Sequence, residues 1–276
     1  MPTIAFLGAG NIAQAIMGGL IASAQQTSGS SGTDTGMTIT ANDPVEACRQ
    51  KAAALGAEVK DTNAEAIRDA DIVMLCVKPN VLIDLLRKLA PECREGQLFI
   101  SVAAGITCAS MKAVMPDNTA IVRCMPNTPA LVKIGMTGMY ATNTVTEIQK
   151  QAAQTVMDAV GETVWVTAES DLDAVTAVSG SGPAYYFLMM ELMIEAAIKE
   201  GLDPSVAKKL VLQTALGAAT MASASLDDPA TLRVNVTSPG GTTEAALEHF
   251  KDKGLGTIVS GAIGAARVRS VEMSKQ

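Results

Sequence analysis

Thr3-Ile4-Ala5-Phe6-Leu7-Gly8-Ala9-Gly10-Asn11-Ile12-Ala13 decides how the chain is read. A short apolar run meets two glycines one residue apart, and apolar positions then recur at Ile12, Ile16 and Leu20. That pattern is a strand, a tight turn and a helix. Gly8 to Ala13 fits GxGxxA. In that motif the first glycine makes the turn, the second leaves room for a pyrophosphate, and the small last residue lets helix and strand pack closely. The phosphates sit on the N–H groups that a helix start leaves unbonded. Gly8, Ala9, Gly10, Asn11, Ile12 and Ala13 are therefore candidate dinucleotide-binding residues. The expression alone is weak. Its place after an N-terminal strand, in a chain with further strand–helix units, gives it weight.

Outward from this turn, Gln25 to Gly36 is poor in apolar residues and reads as a flexible surface loop, and Met37 to Ala41 reads as a second strand. Asn42 and Asp43 follow it. An Asp43 carboxylate facing the ribose favours NAD, whereas Asn42 in that place tolerates NADP; Asp43 before Pro44 also suits a simple turn, and Arg49 lies within reach of a phosphate. Glu46 to Leu55 is helical and stops at Gly56. Asp71 to Val77 is a continuous apolar run, the mark of a strand covered on both faces. Val81 to Leu89 has helical spacing, Gln97 to Ala103 and Thr119 to Met125 read as further strands, and Gly135 to Thr142 and Thr163 to Val166 read as edge strands. This alternation predicts a Rossmann-type doubly wound α/β sheet. The loops after its strands should line the cofactor crevice: Val77-Lys78-Pro79, Val102 to Gly105 with the small Ala103 and Ala104, and Met125 to Pro129. Lys78 reads as a ribose donor or a solvated lysine, and Asn63 first as a helix N-cap, then as an adenosine contact.

After Val166 the strands stop and Ala, Leu, Met and Gly recur at helical spacing, so a boundary is expected within Thr167 to Ser170. The expected division is 1–168, dinucleotide-binding, and 169–276, an all-α dimerisation domain. Phe187-Leu188-Met189-Met190 and Leu192-Met193-Ile194 make one helix apolar all round, which needs cover on every side. A second copy of the chain supplies that cover, or a well-buried helix within one chain does.

The 276 residues carry Lys+Arg 21 against Asp+Glu 28, a net charge of -7, with 3% aromatics. Such a chain is a poor nucleic-acid binder, because phosphate neutralisation needs a basic surface and stacking needs aromatic rings. Five cysteines without a CxxC pair argue against a disulfide framework and for a reducing compartment. The single histidine, His249, leaves no zinc-like ligand set, so no metal is expected. No signal peptide is read at the N-terminus, and Leu210 to Leu226 is too polar to span a membrane, so a cytoplasmic protein is expected.

Two glycine-rich stretches punctuate the helical half. Ser179-Gly180-Ser181-Gly182-Pro183-Ala184-Tyr185 reads first as a kink or close crossing, then as a substrate contact. In Asn235-Val236-Thr237-Ser238-Pro239-Gly240-Gly241-Thr242-Thr243-Glu244, Ser238 reads as N-cap and Pro239 as the first helical residue. Gly240, Gly241, Thr242 and Thr243 then offer N–H groups and hydroxyls to a carboxylate. Two glycines in a first turn weaken a helix, which favours a binding role over an ordinary cap. No His–Asp or Cys–His pair can be assembled, so the chemistry should need little proton abstraction. Hydride addition to a protonated imine fits.

Taken together, GAGNIA (8–13), VKP (77–79), SVAAGI (101–106), MPNTPA (125–130), SGSGPAY (179–185) and TSPGGTT (237–243) resemble the pyrroline-5-carboxylate reductases over nearly the whole chain. The resemblance implies reduction of Δ1-pyrroline-5-carboxylate to L-proline with NADPH or NADH, the last step of proline biosynthesis. It implies a Rossmann domain followed by a helical domain that interlocks in a homodimer, with dimers in some members assembled into rings. Ser238 to Thr243 would hold the substrate carboxylate, Thr243 would face the pyrroline nitrogen, and Asn235 would lie near the same pocket. Val77, Lys78, Ala103 and Ala104 would wall the nicotinamide ribose, and Asn63 would touch the adenosine side. The Gln25–Gly36 loop and Asp43 depart from the pattern. Three rivals are weighed. A β-hydroxyacid dehydrogenase needs a catalytic lysine that Ala184 to Ile198 lacks, a deazaflavin-dependent reductase should lack SPGGTT, and a nucleotide sensor would bind without turnover.

Overall fold

The structure, a computed structural model, describes residues 2–28 and 37–275. Eight strands form one sheet in the order β3-β2-β1-β4-β5-β6-β7-β8. They are β1 (Thr3–Leu7), β2 (Thr38–Asn42), β3 (Glu58–Val59), β4 (Ile72–Leu75), β5 (Leu98–Ser101), β6 (Ala120–Met125), β7 (Gly135–Ala141) and β8 (Gly161–Trp165). Strands β1 to β6 run parallel, whereas β7 pairs antiparallel with β6, and β8 follows β7 in parallel. The expected pair of edge strands is corrected here: β8 is an edge, but β7 is an inner strand held on both sides. The two-residue β3 escaped the sequence reading because it is too short to show a period.

Around this sheet lie α1 (Asn11–Ser28), α2 (Glu46–Ala54), α3 (Asn63–Ile67), α4 (Pro79–Leu89), α5 (Cys108–Lys112) and α6 (Glu147–Asp158). Side chains alternate across each strand, so β1 sends Ile4 and Phe6 to one core and Ala5 and Leu7 to the other. The first core joins Phe6, Ile16, Met17, Met74 and Met157; the second joins Leu7, Ile67, Val73, Leu82 and Phe99. Both faces are covered, and for that reason β4 and β5 read as unbroken apolar runs. Helix starts are fixed locally. Thr146 and Gln149 form a capping box on α6, and Pro79 occupies the first turn of α4. The expected loop at Gln25–Gly36 is corrected in its first part, because α1 continues to Ser28; residues 29–36 lie outside the described residues.

The remaining helices are α7 (Asp171–Val175), α8 (Gly182–Lys199), α9 (Pro204–Ala224), α10 (Pro229–Asn235), α11 (Thr242–Asp252) and α12 (Leu255–Met273). A π-helical turn spans Thr176–Gly180 between α7 and α8, closed by Ser181 N–H on the Thr176 carbonyl at 2.8 Å. The chain parts into two compact units: Met1–Ser181 with Ala266–Gln276, and Gly182–Ala265. This division falls later than the change of composition at 167–170, for a packing reason. Helix α7 lies against β7, where a Cβ on Gly138 would stand 2.6 Å from Val175 Cγ1. Ser270 Oγ also donates to Asp173 Oδ1 at 2.6 Å, which returns the end of α12 to the sheet unit.

In the helical unit, α8 has one buried residue, Gly182. Phe187 and Leu188 are exposed, as are Leu210 and Leu216 on α9 and Ile258 on α12. Within the helical unit itself, then, α8 is left largely uncovered. A groove of about 510 Å³, lined by Leu188, Met189, Leu192, Phe250 and Ile258, runs along this apolar face. No helix among the described residues is long and apolar enough to cross a membrane.

Candidate active site

Strand order reverses between β1 and β4, because the chain runs from β1 out to β3 and returns to start the other half at β4. That switch point is where doubly wound sheets bind ligands, beyond the carboxyl ends of the strands. The Gly8–Ala13 turn stands there. Gly8 has φ +93, and a Cβ on it would lie 2.7 Å from the Cys76 carbonyl oxygen at the end of β4. Only glycine combines that left-handed backbone with that contact. The space into which a Gly10 Cβ would point holds no atom within 4 Å, so a cradle stays open above the start of α1. Ala9 and Ala13 are fully buried, which brings α1 close to the sheet. Helix geometry leaves the first N–H groups of α1 without intrahelical acceptors. An open cradle at bare amides fits a pyrophosphate.

The neighbouring residues are held as follows. Asn42 closes β2, with its carbonyl accepting from Gly8 N–H at 2.9 Å and its amide donating to the Lys60 carbonyl at 2.7 Å. The nearly buried Asp43 carboxylate accepts from Ala9 N–H at 2.7 Å and from Val45 N–H at 2.8 Å. Arg49 Nη1 donates to the Asp43 carbonyl at 2.6 Å. The turn reading of Asp43 is realised through Val45 N–H, and the same carboxylate also holds the glycine loop, a contact the sequence reading did not include. Val77 and Pro79 are half-buried, while Lys78 is exposed at the N-cap position of α4. Ala103 is buried and Ala104 half-buried after β5. Asn63 is corrected: Thr62, not Asn63, caps α3, in a capping box with Glu65, and Asn63 is the first helical residue.

At the far side of the sheet unit, Asn127 Nδ2 lies 3.3 Å from both the carbonyl and the hydroxyl of Ser179, and its Oδ1 accepts from Met136 N–H at 2.9 Å. A Cβ on Gly180 would meet Met125 Cε at 2.7 Å. The kink reading of 179–185 thus takes the form of a π-turn packed on the end of β6. Arg123 Nη1 pairs with Glu169 Oε1 at 2.9 Å, and the same oxygen accepts from Cys108 N–H at 2.7 Å. Burial pushes the Cys76 thiol up to about 12, and burial followed by the Glu169 charge pushes Cys108 up to about 12. Burial likewise raises Cys124. Raised in this way, the three thiols favour the protonated form near neutrality, which disfavours a nucleophilic role.

In the helical unit the 237–243 stretch differs from the sequence reading in two ways. Ser238 and Pro239 do not start the helix; Gly241 is the N-cap of α11 and Thr242 its first residue. Gly240 has φ +71, and Gly241 N–H donates to the Ser238 carbonyl at 3.0 Å, so residues 238–241 form their own turn. Nor are the two glycine N–H groups bare, because Glu244 Oε2 accepts from Gly240 N–H at 2.6 Å. The orphaned amides of α11 are those of Thr242, Thr243 and Glu244. The sequence reading missed Glu244, although an acid three residues past a cap is the capping-box spacing. Thr243 is half-buried, Thr242 and Ser238 are exposed, and Asn235 is the exposed last residue of α10. Among the described residues no group of three or more His, Cys, Asp or Glu could hold a metal ion.

A doubly wound sheet with this turn at its switch point, followed by a helical region, defines the class of two-part NAD(P)-dependent oxidoreductases. Residues 3–105 match the family described as NADP oxidoreductase, coenzyme F420-dependent, and residues 169–273 match pyrroline-5-carboxylate reductase dimerisation. The chain is 46% identical over 276 residues to the pyrroline-5-carboxylate reductase of Pseudomonas aeruginosa, covering 100% of this chain and 98% of that one. It is similar in structure to a pyrroline-5-carboxylate reductase from Coxiella burnetii, with TM-score 0.92 and 37% identity over 100% and 99% of the two chains. It is also similar to the Plasmodium falciparum pyrroline carboxylate reductase solved with NADP bound, with TM-score 0.82 and 27% identity over 99% and 98%. The chain belongs to the pyrroline-5-carboxylate reductase family. The deazaflavin rival loses ground, since its family description ends at residue 105 while the second half matches a reductase dimerisation region.

Proposed function

We infer that this chain reduces the imine of Δ1-pyrroline-5-carboxylate to L-proline with NADH or NADPH. The observation that carries the reading is the 238–243 turn: a left-handed Gly240 and a Gly241 N-cap deliver two hydroxyls and a row of unbonded amides to one helix start. That arrangement suits a small carboxylate. Family membership supports the rest.

Residues 1–168 serve as the dinucleotide-binding part and 169–276 as the substrate-binding and dimerisation part. Gly8, Ala9, Gly10, Asn11, Ile12 and Ala13 cradle the pyrophosphate, with Asn42, Asp43 and Asn63 on the adenosine side. Val77, Lys78, Pro79, Ala103 and Ala104 wall the nicotinamide ribose. The amides and hydroxyls of Ser238, Gly240, Gly241, Thr242 and Thr243 hold the substrate carboxylate, with Asn235 beside them. Thr243 is the catalytic residue, its hydroxyl facing the ring nitrogen and donating a hydrogen bond to the lone pair that develops there as hydride arrives. When bound, the reduced nicotinamide supplies the hydride that the protonated imine carbon accepts, leaving a neutral secondary amine. Anchoring the carboxylate fixes the ring and raises effective molarity without a protein base. The exposed apolar face of α8, α9 and α12 is covered by a second copy of the chain, giving a homodimer and, by further assembly, a ring of dimers. Cysteines kept as thiols suit a cytoplasmic setting.

The test follows loss of reduced-nicotinamide absorbance with pyrroline-5-carboxylate and, separately, with hydroxy acids. Turnover with the imine alone is expected. Turnover with hydroxy acids, or dinucleotide binding without turnover, overturns the reading.

A further inference from the structure

We infer that Asp43 makes this enzyme prefer NADH over NADPH, an inference that rests on the dinucleotide reading of the Gly8–Ala13 turn. The two cofactors differ by one phosphate on the adenosine 2′ oxygen, so the selector must lie where β2 ends beside that turn. Two residues stand there. Asn42 has its amide nitrogen committed to the Lys60 carbonyl at 2.7 Å. Asp43 lies against the glycine loop itself, with Oδ2 on Ala9 N–H at 2.7 Å and Oδ1 on Val45 N–H at 2.8 Å.

These two bonds hold the carboxylate rigidly, one hydrogen bond from the residue between the two glycines. Each oxygen uses one of roughly two acceptor positions, so the carboxylate can still take a ribose hydroxyl. Facing a 2′-phosphate it presents like charge, and it is too constrained to turn away. The nearby cations are each engaged in this structure: Arg49 is held through Nη1 on the Asp43 carbonyl at 2.6 Å, and Lys60 is paired with Glu58. The same carboxylate thus braces the loop and reads the sugar.

The experiment is calorimetric titration of the full-length protein with NAD+ and with NADP+, no substrate present, for the parent, Asp43→Asn, Asp43→Ser and Arg49→Gln. The parent is expected to bind NAD+ at least about ten-fold more tightly. Asp43→Asn keeps an oxygen for Ala9 N–H and loses the charge, so the NAD+/NADP+ affinity ratio should fall about ten-fold or more, with Asp43→Ser moving the same way. Arg49→Gln should leave the parent ratio within about two-fold. A parent that binds NADP+ as tightly as NAD+, an unchanged ratio in Asp43→Asn, or a selective loss of NADP+ binding in Arg49→Gln overturns the inference. Binding of neither dinucleotide by the folded parent overturns the dinucleotide reading beneath it, and the two failures are thereby told apart.

Discussion

Two glycine-rich turns open two helices in this chain, and they are glycine-rich for different reasons. The front turn is enclosed: Gly8 presses on the Cys76 carbonyl, Ala9 is fully buried, and Asp43 grips the loop from below. The back turn is open. Gly240 is left-handed, yet the place of its Cβ holds nothing within 4 Å, and the loop is closed by the side chain of Glu244. Packing across the sheet therefore demands the first glycine, while in the second turn left-handed backbone demands Gly240 and a 2.9 Å approach to the Ser238 carbonyl oxygen demands Gly241. One is part of the core; the other lies at the surface.

The sharpest way to break this contrast is Gly8→Ala. Its Cβ would meet backbone that cannot yield, in a left-handed conformation, so a loss of at least about 3 kcal/mol is expected, with dinucleotide binding abolished. Thermal unfolding and titration with NADH measure both. Next is Thr243→Ala in the open turn. Loss of the hydrogen bond to the ring nitrogen, about 1.5–3 kcal/mol, should cut kcat by roughly ten- to a hundred-fold and leave dinucleotide affinity unchanged. Parent-like turnover would remove Thr243 from the chemistry. Gly240→Ala meets no atom and carries only the left-handed penalty, about 1–2 kcal/mol; a cost matching that of Gly8→Ala would erase the distinction between the turns. Glu244→Gln keeps an acceptor for Gly240 N–H but loses charge at a helix start, and should lower stability by about 0.5 kcal/mol. Smallest of all is the response of Cys76 to a thiol-specific disulfide reagent. Its thiol is held near 12 by burial, so it should stay unreactive at mildly alkaline pH until the chain unfolds. Rapid labelling of the folded protein would show the floor beneath the front turn to be open.

Most elements were legible because their signals are local. Gly56 ends α2 where the sequence reading stopped it, and β4 and β5 announced themselves as unbroken apolar runs. Strand β7 misled because periodicity carries no direction; its antiparallel pairing and inner position come from how the chain returns after β6. The cap of α11 was misplaced because Ser-Pro is a sound local start signal, but a left-handed Gly240 moves the first helical turn on to Thr242. At α3 the cap was read one residue late, since Thr62 and Asn63 are both good caps and only the bond to Glu65 separates them.

The sequence by itself determined the doubly wound front half, the helical back half and both glycine turns, because each is written in spacings of a few residues. The tertiary structure alone decided where the Asp43 carboxylate points, why Gly8 can bear no side chain, and that the helical unit by itself leaves the apolar flank of α8 uncovered. Each of those depends on which residues distant in sequence come to lie beside one another, and no local spacing records that.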